Sequence, residues 1–198
     1  MATKSPPMPS DLEDAGLDLP VPGRLPFDLI AIVVMAVIGL GISIYLTTVH
    51  YANAPLVCSA GGIVNCAEVT RSSYSVVPGT NIPVTIPGML WFFVSASLAL
   101  LSWQIQSGRA SLLARFGVAG DERLPLRLGI ALFAWCICGL VAVFYLIYGE
   151  TKLHKICEWC TGVHILTAIT FFIALYRLLA MLDSQADELD DDGALSEG

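Results

Sequence analysis

The sequence predicts an all-α integral membrane protein, a four-transmembrane-helix bundle with a short helix in its outer loop. Three observations carry this. Hydrophobic residues make up 56 % of the 198 positions, and the mean hydropathy is +0.72, far more apolar than a soluble domain that needs a polar surface. The apolar residues gather in four segments, about 27–49, 87–105, 128–148 and 157–179, each close to the ~20 residues that cross a ~30 Å hydrocarbon core. The stretches between them are too short for a separate soluble domain, which needs roughly 50 residues. Residues 27–181 are therefore expected to form one membrane domain, flanked by tails at 1–26 and 182–198.

The elements follow in chain order. The net charge of −7 comes largely from the tails, with Asp11, Glu13, Asp14 and Asp18 at one end and Asp183, Asp187, Glu188, Asp190, Asp191, Asp192 and Glu197 at the other. Acidic runs of this kind, beside Pro6, Pro7, Pro9, Pro20 and Pro22, are expected to be solvated and disordered. Nothing in them points to a nucleic-acid partner. The first span is too long for the 7–15-residue apolar region of a secretory signal, although Ala52-Asn53-Ala54 resembles a cleavage site. The loop after it carries Cys58 and Cys66 around the turn Ser59-Ala60-Gly61-Gly62. Asn65 reads as the N-cap of a short helix opening at Cys66. Pro78, Pro83 and Pro87 return the chain to the second span. The third span holds Cys136 and Cys138, which are two apart, point to different faces, and read as small packing residues. A short turn, 149–156, leads to the fourth span.

Lysine and arginine counts orient the spans. One side holds Lys4, Arg24, Arg109, Arg115, Arg123, Arg127 and Arg177; the other holds only Arg71, Lys152 and Lys155. Both termini are therefore expected in the cytoplasm. The loop 50–86 and the turn 149–156 then face outward, where the outer face of a bacterial plasma membrane is oxidising and thiols form and exchange disulfides.

Cys157-Glu158-Trp159-Cys160 is a C-x-x-C at the start of an apolar helix. Unpaired N–H groups and the positive end of the helix dipole stabilise a thiolate there. Lys152, His154 and Lys155 add positive charge, while Glu158 opposes it. Cys160 lies about 4.5 Å further along the helix than Cys157, so one sulfur is expected to meet water and the other lipid. No His follows Cys160, which removes a c-type haem attachment, and the strand–helix alternation of a thioredoxin domain is missing. Two cysteine pairs on one side of the membrane can form a two-station thiol relay. They can equally make structural disulfides, or a four-thiolate zinc site, for which the Cys58–Cys66 spacing is too wide. No metal is expected.

These residues resemble the vitamin K epoxide reductase family in its bacterial disulfide-forming branch. The likeness runs from Gly41-Ile42-Ser43-Ile44-Tyr45-Leu46 through Cys58, Asn65-Cys66-Ala67-Glu68-Val69, Ser72, Ile82-Pro83-Val84 and Gly88. It continues with the aromatic stretch Phe144 to Tyr148 and Cys157-Glu158-Trp159-Cys160, covering about residues 27 to 180. The resemblance implies a bundle enclosing a quinone, menaquinone or ubiquinone, lidded from outside by a horizontal half-helix beginning at Cys66. Cys157 and Cys160 would be the active-site pair, with Cys160 nearest the quinone, and Cys58 and Cys66 the shuttle pair. Electrons would pass from a partner's dithiol to Cys58/Cys66, then to Cys157/Cys160, then to the quinone. A partner that oxidises secreted proteins is a strong oxidant, about −120 mV in one case, so its electrons need a more oxidising sink.

Two departures shape the reading. Many family members carry a fused thioredoxin-like domain, and this chain has only an acidic tail on the opposite side, so a separate thioredoxin-fold partner is expected. The residue four beyond Cys160, a tyrosine in the vertebrate branch, is His164, on the same helix face and about one turn deeper. An ionisable residue inside a span is a functional candidate, here for quinone contact or proton delivery. Ser72 and Tyr74 match positions near the quinone pocket. Two other functions compete: a vitamin K epoxide reductase proper, and a transporter or scaffold with structural disulfides, which would be expected to carry charged or broken spans.

Overall fold

In the computed structural model the residues described are 27–52, 54–59, 61–107 and 123–196, with side chains described as far as Ala186. The expected N-terminal tail, and Arg109 and Arg115 of the loop between the second and third spans, lie outside them. Four long helices account for most of the rest: α1 (Phe27–Ala52), α3 (Thr85–Gln106), α4 (Leu124–Leu153) and α5 (Glu158–Ser196). A short α2 (Cys66–Thr70) and a 3-10 turn (Ser73–Ser75) lie in the loop between α1 and α3. Among the described residues β-structure is confined to isolated bridges.

Each long helix is apolar and long enough to span a bilayer, in α5 from Glu158 to Ala186. Even α3, the shortest at 22 residues, reaches about 33 Å. The protein is therefore an all-α membrane bundle. The helices run past the apolar segments read from the sequence, because hydropathy marks the length in lipid while the hydrogen-bond ladder continues into water. In α4 the helix runs past both ends of the apolar segment. It starts at Leu124, with Pro125 where a missing N–H costs nothing. It ends at Leu153 and is closed by His154 in the left-handed conformation, φ 52°. The expected turn at 149–156 is thus mostly helix, and α5 runs on through the acidic segment to Ser196.

The helices pack in a ring, α1 on α3, α3 on α4, α4 on α5, and α5 back on α1. Its core holds Leu29, Ile32, Trp91, Phe92, Leu132 and Ala174. Lipid tails give apolar helices no hydrophobic reason to pair, so close approach matters. The Phe92 ring lies where a side chain at Gly39 would be, and the Trp91 indole where one at Gly139 would be. Trp91 and Trp135 tie α3 to α4 reciprocally, each indole N–H donating to the other's carbonyl, at 3.0 and 3.1 Å. Cys136 is buried in this core and Cys138 is exposed, on different faces as their spacing requires. At the opposite end from the cysteine pairs, Arg177 is buried and ion-paired with Asp28.

Candidate functional site

The cysteine end of the bundle is built by the loop between α1 and α3, described segments of which fold down onto the start of α5. Asn65 caps α2 as its type predicts: its side-chain oxygen accepts the Glu68 N–H at 3.1 Å, and its amide donates to the Glu68 carboxylate at 3.0 Å. The cap is also sewn to the chain entering α5. The Asn65 N–H donates to the Ile156 carbonyl at 3.1 Å, and the Ile156 N–H to the Ile63 carbonyl at 2.9 Å. This pairing carries Cys66 directly against Cys157.

Cys58 and Cys66 form a disulfide, with Cα atoms 6.2 Å apart, while Cys157 and Cys160 are free thiols. Cys66 and Cys157 are both buried in one small cluster, against which Cys58, Cys160, Leu56, Leu153 and Trp159 pack. The expectation that Cys157 meets water is corrected here. Cys157 has no exposed surface, because the loop that carries Cys66 roofs it. Of the loop pair, Cys58 is half-buried and Cys66 buried.

The Cys160 N–H donates to the Cys157 sulfur at 3.3 Å. The Cys157 N–H in turn donates to the Glu150 carboxylate at 3.2 Å. The Cys157 thiol is held below the ordinary thiol range, first by its hydrogen bond with the Cys160 side chain; burial and the Glu150 charge oppose this. A lowered pKa favours the thiolate, the form that attacks disulfides.

Beneath this cluster lies a cavity of about 480 Å³, within the range that takes a cofactor-sized ligand. Cys160 lines it and Cys157 does not. Most of the wall is apolar, with Leu46, Val69, Pro83, Trp91, Val143 and Leu146 among its residues. Leu90 of α3 with Cys138 and Ala142 of α4 are exposed wall residues, so the mouth opens toward lipid between those helices. Among the residues read from the sequence, His164 and Tyr74 line the cavity. His164 is buried, and its Nε2 has no hydrogen-bond partner. Tyr74 approaches so closely that a Cβ at Gly149 would lie 2.8 Å from its own Cβ. Ser72 does not reach the cavity; its hydroxyl donates to the Val69 carbonyl at 2.7 Å, closing the turn after α2. Ser75, one helical turn on, lines it instead.

Glu150 was not read from the sequence as a site residue. It lines the cavity and bonds the Cys157 N–H. Its signal was an acid at the end of the third span, seven residues before Cys157.

A quinone fits this site on the structure's own terms. The cavity is apolar, opens to lipid, is walled by a free thiol, and presents an unpartnered imidazole nitrogen, a group whose burial without a partner is costly.

Fold and site together define a class: a membrane protein of four spanning helices, in which a disulfide and a dithiol share one buried cluster above a lipid-open cavity. The chain belongs to the vitamin K epoxide reductase family, whose model matches residues 30–175. This is a family of oxidoreductases whose members generally use quinones. No curated protein matches the chain.

Proposed function

We propose that this protein is a quinone-dependent thiol oxidoreductase of the family's bacterial branch, reoxidising a separate thioredoxin-fold partner and so supporting disulfide-bond formation. One observation carries the reading: the Cys58–Cys66 disulfide and the Cys157/Cys160 thiols pack in a single cluster, and of these four cysteines Cys160 alone lines the cavity. In this reading the membrane is a bacterial plasma membrane with the cysteine end outside, and the excess of lysine and arginine on the other side supports cytoplasmic termini.

Burial supports one order of attack. A partner thiolate reaches half-buried Cys58, and Cys66 leaves as thiolate. The partner's second thiol resolves the mixed disulfide, leaving the partner oxidised and the loop pair reduced. Cys66, packed on Cys157, then attacks Cys157 of a Cys157–Cys160 disulfide, and Cys160 leaves. Closure of Cys58 onto Cys66 restores the loop disulfide and leaves Cys157 and Cys160 reduced, the state of this structure. Glu150 holds the Cys157 N–H and so fixes the first turn of α5 during both exchanges. His164 Nε2 and the Tyr74 side chain are the polar groups that would hold a menaquinone or ubiquinone. Such a quinone, when bound, supplies an acceptor for two electrons and two protons. Cys160, on the cavity wall, would be the thiol facing it, with Cys157 placed to close the disulfide.

The test is anaerobic reduction of a soluble quinone, driven by a reduced thioredoxin-fold protein. Wild type is expected to turn over and Cys160→Ala to fail. Cys58→Ala is expected to fail with the protein donor but to work with a small dithiol. If both variants match wild type, the cysteines are structural and the enzyme reading falls.

A further inference from the structure

The relay chemistry uses neither of the two residues inside the C-x-x-C, Glu158 and Trp159. Both reach back across the sequence to the segment that holds Cys58. The Trp159 indole N–H donates to the Val57 carbonyl at 2.7 Å. The Glu158 carboxylate accepts the Ser59 N–H at 3.2 Å. The residues on either side of Cys58 are thus bonded by the two residues between Cys157 and Cys160. Tyr45 of α1 completes the grip: its ring packs at a tilt against Trp159 with centroids 5.1 Å apart, and its hydroxyl oxygen accepts the Val57 N–H at 3.4 Å. Glu158 is also a charge at the disulfide, because a carboxylate oxygen and the sulfurs of Cys58 and Cys66 all lie within 4.8 Å of one another.

A disulfide is neutral, so while it is closed it sets no like charge against the carboxylate beside it. When a dithiol donor reduces it, the S–S bond breaks, the donor becomes the disulfide, and two thiols form. Ionisation of either thiol then sets a thiolate beside the carboxylate, which is repulsive. The hydrogen bond to Ser59 and the charge facing the sulfurs belong to the same side chain.

We propose that Glu158 and Trp159 are positioning residues that clasp the Cys58 segment onto the active helix while the Cys58–Cys66 disulfide is closed, and that Glu158 releases it when the pair is reduced. The clasp rests on the thiol-relay reading of the proposed function, and gives that relay its timing. The oxidised loop is held with Cys58 outward for the partner; in the reduced loop the Cys58 segment is free to move away, leaving Cys66, already packed on Cys157, to attack.

The experiment is amide hydrogen exchange over residues 56–59 in full-length protein in lipid nanodiscs. Exchange is compared before and after dithiothreitol treatment at pH ~8.5, where ordinary thiols are about half ionised. It requires neither quinone nor partner, so its failure is distinct from failure of the turnover test. In wild type these amides are expected to exchange at least tenfold faster after reduction. Trp159→Phe keeps the ring against Tyr45 and loses the donor; Glu158→Ala loses acceptor and charge. Both are expected to exchange tenfold faster already in the oxidised state. Glu158→Gln keeps an acceptor for Ser59 without the charge, and is expected to stay protected in both states. Wild-type protection that survives reduction, unchanged protection in Trp159→Phe and Glu158→Ala, or a Glu158→Gln loop that opens on reduction as wild type does, would each overturn the proposal.

Discussion

Replacing His164 by phenylalanine separates a ligand-holding histidine from a structural one, because the two roles predict opposite signs of the stability change. His164 is 8 % exposed and its Nε2 has no partner. A buried polar atom left unpaired costs about 1–3 kcal/mol. His164→Phe keeps a flat ring and removes that atom, so the empty protein is expected to gain up to about 1–3 kcal/mol in stability. The same change removes the hydrogen bond the imidazole would make to a quinone oxygen. A loss of 1–3 kcal/mol in binding corresponds to roughly a five- to 150-fold weaker affinity, at ~1.4 kcal/mol per factor of ten. Two measurements are needed: the unfolding midpoint in mild detergent without quinone, and the Kd for a short-chain quinone. A variant that is less stable than wild type and binds quinone equally well would refute the argument, because the nitrogen would then be serving the fold.

Two further perturbations bear on the site and the bundle. Thiolate absorbance at 240 nm is expected to report Cys157 ionising below the usual thiol value of ~8.5, and the midpoint should rise in Cys160→Ala, which removes the first cause of the lowering. Since folding depresses this pKa, the associated stability is fully present above the unfolded value and is lost as pH falls through the folded one; a midpoint unmoved in Cys160→Ala would contradict it. At the opposite end, Asp28→Asn leaves the buried Arg177 charge unpaired, a change that costs about 3–5 kcal/mol. Adding Arg177→Met should recover most of that in a detergent unfolding series, and no recovery would mean the pair is not what the variant disturbed.

The sequence by itself determined the four spanning helices among the described residues, the end of the bundle at which the cysteines gather, and the thiol pair at the start of the last span. Each follows from local information: ~20 apolar residues commit a segment to the membrane wherever its neighbours lie, and the Asn65 cap and the C-x-x-C are read within a few residues. Helix ends were less legible. Hydropathy reports contact with lipid, so α4 extends five residues beyond the predicted 148. The tertiary structure alone decided which cysteine is covered. Position along the helix put Cys157 in water, but the Ile63–Asn65 backbone pairs with Ile156 and lays Cys66 over it. Nor could spacing distinguish Ser72, turned back to its own helix, from Ser75 on the cavity wall. Glu158 and Trp159 read as neighbours of the thiols; folding makes them neighbours of Val57 and Ser59, about a hundred residues earlier. Those contacts join residues distant in the chain, and no local pattern encodes which of them the packed bundle brings together.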